Sequence, residues 1–309
     1  MRKLIAAAVV LASTVAPSLP AMAATARPDT YVVSRAEGVL PEGIAVTPAG
    51  TMYVTSAGTG AVYRGNTRST ELTPFLPPGT DGRTRAAGIH LDGRGRIFVA
   101  GWDTGTLFVY HPDGSLVAKR VAPLAGAALN DLAVTDDAVY VTDSGTGTLW
   151  RATTTGPRVG ELTPWLTPAD FPQAPGFLNG IVVDGRVALV ADQGTERLYR
   201  VDLPRRKASV VEVAGGRMAA DGLLLEGNRL YGVVNFPSGA GEVAFAVDLA
   251  ILDADRRTAR VIRRSAPASL DRSPTTIARD GSRLLWVHSQ LNNPSPAPPF
   301  TVTVVRGLR

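Results

Sequence analysis

The chain reads Glu-Gly-Ile-Ala-Val over residues 42–46 and, after a turn, Met-Tyr-Val-Thr-Ser over residues 52–56. This phrase joins a polar residue, a glycine and an alternating apolar run to a second strand-like run that ends in Thr, Ser or Asp. It returns five more times, most weakly in the last copy. The later copies begin at Ala87, Asn130, Asn179, Asp221 and Thr275.

The second residues of successive copies stand 45, 43, 49, 42 and 54 residues apart. Repeats of this period built from short strands are typical of a β-propeller with one four-stranded sheet per blade. An array of separate β-sandwich domains would need about 100 residues per copy, which the spacing disfavours. The sequence therefore predicts an all-β, six-bladed β-propeller.

The two ends of the chain indicate how the propeller closes. Residues 31–34 form one spare strand before the first phrase, and only one strand, at 301–305, follows the last pair. We expect the N-terminal strand to complete the last blade, because that pairing leaves no open sheet edge.

The first 23 residues have the features of a secretory signal peptide. Arg2 and Lys3 precede a twelve-residue apolar and small-residue run, and Ala21-Met22-Ala23 supplies small residues at the cleavage positions. We predict a leader over residues 1–23, a propeller over residues 24–309, and a secreted protein, extracellular or periplasmic. No later apolar stretch is long enough to span a membrane, so we expect no membrane association after cleavage.

Composition excludes several functional classes. Of the 309 residues, 45% are hydrophobic and 19% charged, which excludes a disordered tail. The absence of cysteine excludes a disulfide scaffold and thiolate metal sites. The net charge of +5 falls to +3 once Arg2 and Lys3 are removed, too little to indicate nucleic-acid binding.

The residues that open the phrases are the main candidates for a functional site. In a propeller all first strands begin on one face, so Glu42, Asn130, Asn179 and Asp221 are expected to surround the axis there. They offer four hard oxygen donors with a total charge of −2, which suits a divalent cation and Ca²⁺ best. All-oxygen ligation disfavours zinc. Asparagine before a strand is also a common turn residue, but turn chemistry does not explain a glutamate.

These four positions resemble the metal ligands of the SMP-30/gluconolactonase/LRE-like family of six-bladed propellers. That family has a Glu opening the first blade, two Asn from middle blades and an Asp from the next. The resemblance covers roughly residues 30 to 307. It implies divalent-metal-dependent hydrolysis of a lactone or ester, in which the cation polarises the carbonyl oxygen. It also implies a general-base role for Asp221.

The chain departs from the family pattern at three places. Ala128 stands where sugar-lactonase members carry an Arg, which disfavours a sugar acid lactone as substrate. Gly222 stands where paraoxonases carry an Asn. Their catalytic histidine pair has no evident counterpart, since His90 is expected in the core or the channel and His111 in an exposed turn.

Other polar and aromatic residues are expected on the same face and are candidates for the substrate pocket. They are Asp143, Asp192, Asn235, His288 and Trp102. We expect a monomer that acts on a small-molecule substrate. Two alternatives remain: a non-catalytic, metal-stabilised binding propeller, and a strictosidine-synthase-like condensing or isomerising enzyme in which Asp143 or Asp192 is the pocket acid.

Overall fold

The computed structural model describes residues 27–237 and 243–308. The predicted leader, residues 1–23, lies outside the described residues. Within them, six small sheets, antiparallel except for one added strand, are arranged as the blades of a β-propeller. The only helical elements in these ranges are two short 3-10 turns, Thr80–Gly82 and Pro168–Asp170. No helix in these two ranges is long and apolar enough to cross a bilayer. The predicted fold class is confirmed.

The strands follow one another blade by blade. The chain begins with β1 (Thr30–Ser34). Blade 1 contains β2 (Pro41–Val46), β3 (Thr51–Ser56), β4 (Val62–Asn66) and β5 (Thr73–Leu76). Blade 2 contains β6 (Ile89–Leu91), β7 (Ile97–Ala100), β8 (Thr106–Tyr110) and β9 (Leu116–Val121). Blade 3 contains β10 (Leu129–Val134), β11 (Ala138–Asp143), β12 (Leu149–Thr153) and β13 (Thr163–Leu166).

Blade 4 contains β14 (Leu178–Asp184), β15 (Val187–Asp192), β16 (Arg197–Asp202) and β17 (Lys207–Val210). Blade 5 contains β18 (Glu212–Ala214), β19 (Leu223–Glu226), β20 (Arg229–Pro237), β21 (Val243–Leu252) and β22 (Thr258–Arg264). Blade 6 contains β23 (Pro274–Asp280), β24 (Arg283–His288) and β25 (Phe300–Val304).

The N-terminal strand closes the propeller as the sequence predicts. β1 pairs antiparallel with β25, so blade 6 has the strand order β1-β25-β24-β23. Tyr31 and Val33 of β1 are buried in a core cluster with Ile44 and Val54 of blade 1 and Phe300 of blade 6. Chain closure and the packing of blade 6 against blade 1 are therefore achieved by the same few residues.

Blade 5 carries an additional strand that the sequence pattern does not predict. After leaving blade 4, the chain adds β18 in parallel to the outer strand β22, giving the order β18-β22-β21-β20-β19. This three-residue pairing covers an edge that would otherwise be open.

Four of the six innermost strands contain an irregularity at the phrase-opening residues. The pairing register shifts between Pro41 and Ile44, and shifts in the same way in β10, β14 and β23. A bulge of this kind redirects side chains out of the ladder. Glu42, Asn130 and Asn179 each lie within such a bulge.

Candidate metal centre and central channel

Backbone and side-chain hydrogen bonds between neighbouring blades hold the phrase-opening segments around the axis. The Gly88 N–H donates to the Asn130 carbonyl at 2.8 Å, and the Gly222 N–H donates to the Thr275 carbonyl at 2.9 Å. The Thr275 hydroxyl in turn donates to the Glu42 carbonyl at 2.8 Å. The candidate ligands are thus fixed by contacts that run from blade to blade.

The glycine of the phrase is required because these segments approach closely. A Cβ on Gly43 would stand 2.5 Å from the Ala87 carbonyl oxygen, and one on Gly180 would stand 2.5 Å from that of Asp221. In blade 3 the equivalent position is Asp131 instead of glycine. Its carboxylate uses the space beside Gly88, where an added Cβ would meet Asp131 Oδ1 at 2.6 Å.

Glu42, Asn179 and Asp221 line the upper end of a central cavity of about 600 Å³, together with Asp131. Asn130, the fourth predicted ligand, is buried beside this cavity but does not line it. Sequence reasoning missed Asp131. Its signal was visible, because this is the one strong copy of the phrase whose second residue is not glycine.

No salt bridge in the described ranges neutralises the three carboxylates. Among the described residues, none of Glu42, Asp131 and Asp221 takes part in an ion pair. Burial raises the pKa of Glu42 well above its ordinary value, and the neighbouring Asp221 and Asp131 carboxylates raise it further. Burial likewise raises the pKa of Asp131 to about 7 and that of Asp221 to about 7.

Hydrogen bonds position two of these acids. Asp131 Oδ1 accepts from the Leu132 N–H at 2.8 Å, and its Oδ2 accepts from the Ile181 N–H of blade 4 at 3.2 Å. Both bonds lower the pKa of Asp131 and so oppose the effect of burial. The Asn179 side chain has the same opposing effect on the pKa of Asp221.

The two asparagines are oriented by neighbouring polar side chains. Asn130 Nδ2 donates to Ser144 Oγ at 2.9 Å, which leaves the buried Oδ1 atom without a hydrogen-bond partner among the described residues. Ser144 Oγ donates onward to the Leu178 carbonyl at 2.6 Å, next to Asn179. Asn179 Nδ2 donates to Gln193 Oε1 at 2.9 Å.

This donor set fits a hard cation. In the described ranges no three acidic or imidazole side chains come close enough to hold an ion by themselves, so amide oxygens would have to complete the coordination. The orphaned Asn130 oxygen is such a donor, since a buried carbonyl oxygen ordinarily has a partner. A divalent cation would also neutralise the adjoining acids, which suits the preference of Ca²⁺ for carboxylate and amide oxygens.

Asp143 and Asp192 do not have the pocket position expected from the sequence. Both are fully buried, and their oxygens are occupied by donors from the surrounding turns. Asp143 Oδ1 accepts from the Ala128 N–H and Asp192 Oδ1 from the Phe177 N–H, each at 2.8 Å. The other donors are Gly145, Thr146 and Trp150 for Asp143, and Gly176, Gly194 and Thr195 for Asp192. These carboxylates anchor the backbone just before Asn130 and Asn179 and are not available to a substrate.

His288 also faces away from the channel. Its Nε2 is 2.7 Å from the hydroxyl of Thr303 on the next strand outward, and its ring packs edge-on against Trp286 with centroids 5.3 Å apart. Burial lowers the pKa of His288 to about 4. It therefore belongs to the body of blade 6 and not to the predicted pocket.

Trp102 and Asn235 do lie on the expected face. Trp102 exchanges two backbone hydrogen bonds of 3.0 Å with Leu129, directly before Asn130, and its ring approaches Phe177 at 6.1 Å. Asn235 lines a small hollow of about 190 Å³ that also reaches Asp221. His90 lines the central cavity, and His111 is exposed in a turn.

Below the acids, the central cavity continues between the innermost strands. The side chains that line it beneath the acids come from three successive positions along the inner strands. The upper layer is Ile44, Ile89, Ile181, Leu223 and Ile277. The middle layer is Ala45, His90, Leu224 and Ala278. The lower layer is Val46, Leu91 and Arg279. Of these side chains only His90 and Arg279 are polar, so the channel wall beneath the acids is mainly apolar.

Comparison with known proteins establishes the fold alone. No protein-family model matches the sequence, and no curated protein shows significant similarity to it. Virginiamycin B lyase from Staphylococcus aureus is similar in structure, with a TM-score of 0.62 and 10% identity over 90% of this chain and 98% of that one. The calcium-binding protein regucalcin from Agrobacterium tumefaciens gives a TM-score of 0.60 and 20% identity over 91% of this chain and 95% of that one. Luciferin-regenerating enzyme is also similar in structure, with a TM-score of 0.58 and 13% identity over 87% of this chain and 92% of that one.

Proposed function

We propose that this chain is a secreted hydrolase that opens a lactone or ester of a small organic molecule with the help of a divalent cation, best Ca²⁺. One observation carries the proposal: Glu42, Asp131 and Asp221 adjoin one cavity, and among the described residues they have no cationic partner. Burying several carboxylates together is costly unless they are protonated or a cation neutralises them. A bound cation would offset the cost of burying these carboxylates and would provide a Lewis acid for hydrolysis.

Glu42, Asn130, Asn179 and Asp221 would hold the ion. All four supply oxygen, and Ca²⁺ accepts six to eight oxygen ligands in flexible geometry, which leaves room for water and substrate. When bound, the ion supplies Lewis-acid polarisation of a substrate carbonyl. The calcium-binding neighbour regucalcin supports the choice of metal.

Two carboxylates are candidates to accept the proton of the attacking water. The resemblance assigns this role to Asp221, but a carboxylate engaged by a cation is a weak base. Asp131 is outside the proposed ligand set, lines the same cavity and is held at both oxygens by backbone N–H groups. We assign it the alternative base role, because these bonds orient a carboxylate that the metal leaves free.

We also propose that the protein is exported and is a monomer. The leader of residues 1–23 would direct the chain out of the cytoplasm, and the mature protein would act as a monomer on its substrate. N-terminal sequencing of the exported protein is expected to begin at Ala24; a start at Met1 would contradict cleavage.

The activity test uses a panel of γ-lactones, δ-lactones and aryl esters. Wild-type protein is assayed after EDTA treatment and again after Ca²⁺ is restored, beside Asp221→Ala, Asp131→Asn and the exposed control Asp255→Ala. We expect Ca²⁺-dependent turnover that the control keeps. Asp221→Ala should lose both turnover and metal binding, whereas Asp131→Asn should lose turnover and keep the metal.

Other outcomes would replace the proposal. Calcium binding without turnover on any member of the panel would indicate the non-catalytic binding propeller. Turnover that EDTA does not affect would refute metal-dependent hydrolysis. The condensing-enzyme alternative is weakened because Asp143 and Asp192 are fully engaged by the fold.

A further inference from the structure

The apolar channel below the acids is large enough to hold part of a substrate. Its volume of about 600 Å³ falls in the range of small-molecule sites. Ile44 and Ile277 of the upper layer line it together with Glu42 and Asp221. A molecule reacting at the acids could therefore extend a hydrocarbon group into this space.

The middle layer gives the channel an uneven cross-section. Ala45 and Ala278 are small and leave space at the wall, whereas the His90 side chain is exposed within the channel. His90 lies in β6, two residues after Gly88, where an added Cβ would meet Asp131 of the next blade. His90 lines the cavity, and two residues of extended strand place it about 7 Å along the chain from Gly88.

The charged residues at the lower mouth are neutralised by each other. Arg279 Nε donates to Glu226 at 2.5 Å, and Asp92 accepts from Arg96 Nε at 2.7 Å. At the lower mouth, therefore, no unpaired charge of the described residues opposes an apolar group. Desolvation by the surrounding channel walls lowers the pKa of His90, which favours its neutral ring.

The space on the other side of Asp221 is less suitable for a hydrocarbon. That hollow measures about 190 Å³ and is lined by amides, among them Gln193, Asn235 and Asn292. It is smaller than ordinary small-molecule sites. Asp221 thus separates a small polar hollow from a larger apolar channel.

We infer that the substrate is a lactone or ester with an unbranched hydrocarbon tail, that the tail lies in the channel, and that His90 limits its length. This inference rests on the proposed function. His90 is then a specificity-determining residue that contacts the tail and takes no part in bond cleavage. Each further methylene that enters the channel is expected to raise kcat/KM about fourfold, up to the level of His90.

The test measures kcat and KM in Ca²⁺ for p-nitrophenyl esters from acetate to dodecanoate. Wild type is compared with His90→Ala and His90→Trp, and with His111→Ala and His111→Trp as controls in an exposed turn. We expect His90→Trp to lower kcat/KM for long esters by about tenfold or more and to change acetate hydrolysis less than about twofold, since only the tail meets the new ring. His90→Ala should move the length limit to longer esters, and both controls should follow wild type.

Thermal unfolding and calcium calorimetry on each variant identify a misfolded protein or a damaged metal site. If turnover is metal-dependent but tail length or His90 substitution leaves kcat/KM unchanged, the channel inference is overturned and the proposed function stands. If neither these esters nor the lactones of the activity panel are hydrolysed with Ca²⁺ present, both fail together.

Discussion

At the scale of single residues, the candidate site depends on which side-chain atoms are left without partners. Asn130 Nδ2 donates to Ser144, whereas the buried Asn130 Oδ1 has no hydrogen-bond partner within the part of the chain that the structure describes. Ser144 also bonds to the carbonyl of Leu178, so one hydroxyl orients the surroundings of both asparagines. Such supporting contacts commonly decide how well a metal is held.

Asn130→Ala is expected to weaken calcium binding strongly, because it removes an oxygen donor. Ser144→Ala, which only releases the Asn130 amide, should weaken binding about tenfold. Calorimetry on the two variants and on Asn228→Ala, an exposed control, measures these effects. Unchanged affinity in Asn130→Ala would remove Asn130 from the ligand set.

His288 should make stability depend on pH in the acidic range. Burial lowers the pKa of His288 to about 4 from 6.5, so below about pH 6.5 the unfolded chain takes up a proton that the folded chain refuses until about pH 4. Its contribution to stability is therefore present above pH 6.5 and is lost as pH falls to 4, by about 3 kcal/mol in total.

Denaturant unfolding of His288→Gln from pH 7 to 4 measures this contribution. The variant should lose less stability than wild type over that range, and the exposed control His111→Gln should follow wild type. Parallel curves for His288→Gln and wild type would show that His288 is not buried as described.

At the scale of elements, the bulged first strands determine where the functional groups lie. A repeat in the sequence identifies these strands, since the alternation of apolar residues persists through β2, β10 and β14. It does not reveal the bulges, because the direction of a side chain there depends on contacts with the next blade. This explains why the position of Asp131 beside the cavity could not be predicted from the repeat.

Gly43→Ala tests the close approach of blades 1 and 2. A Cβ at Gly43 would stand 2.5 Å from the Ala87 carbonyl, so the variant should lose about 1–3 kcal/mol of stability. Gly93→Ala is the matched control, because a Cβ there meets nothing within 4 Å. Equal unfolding midpoints for the two variants would contradict the described packing.

At the scale of the whole molecule, six phrases and one spare strand were enough to predict both the blade number and the closure. The fifth strand of blade 5 was not predictable, because β18 is three residues long and adds in parallel outside the repeat. The places of Asp143, Asp192 and His288 were also beyond the pattern. The position of a residue at a strand end predicts which face of the propeller it lies on. It does not predict whether a turn or a neighbouring strand already forms hydrogen bonds with its side chain.

A cross-link tests the closure directly. Val32 and Thr301 are paired between β1 and β25, and the chain has no cysteine, so Val32→Cys with Thr301→Cys can form one defined disulfide. The oxidised protein should unfold at a higher temperature than its reduced form, since the bond closes nearly the whole chain into a loop. Failure to form the bond in the folded protein would contradict the pairing.

The most direct measurement of the central claim is a calcium titration of the chelator-treated protein by calorimetry. Wild type and Asp255→Ala should each bind one ion per chain, whereas Glu42→Gln should bind calcium far more weakly or not at all. Wild-type protein that binds no divalent cation, or Glu42→Gln that binds it as tightly as wild type, would contradict the proposed metal centre.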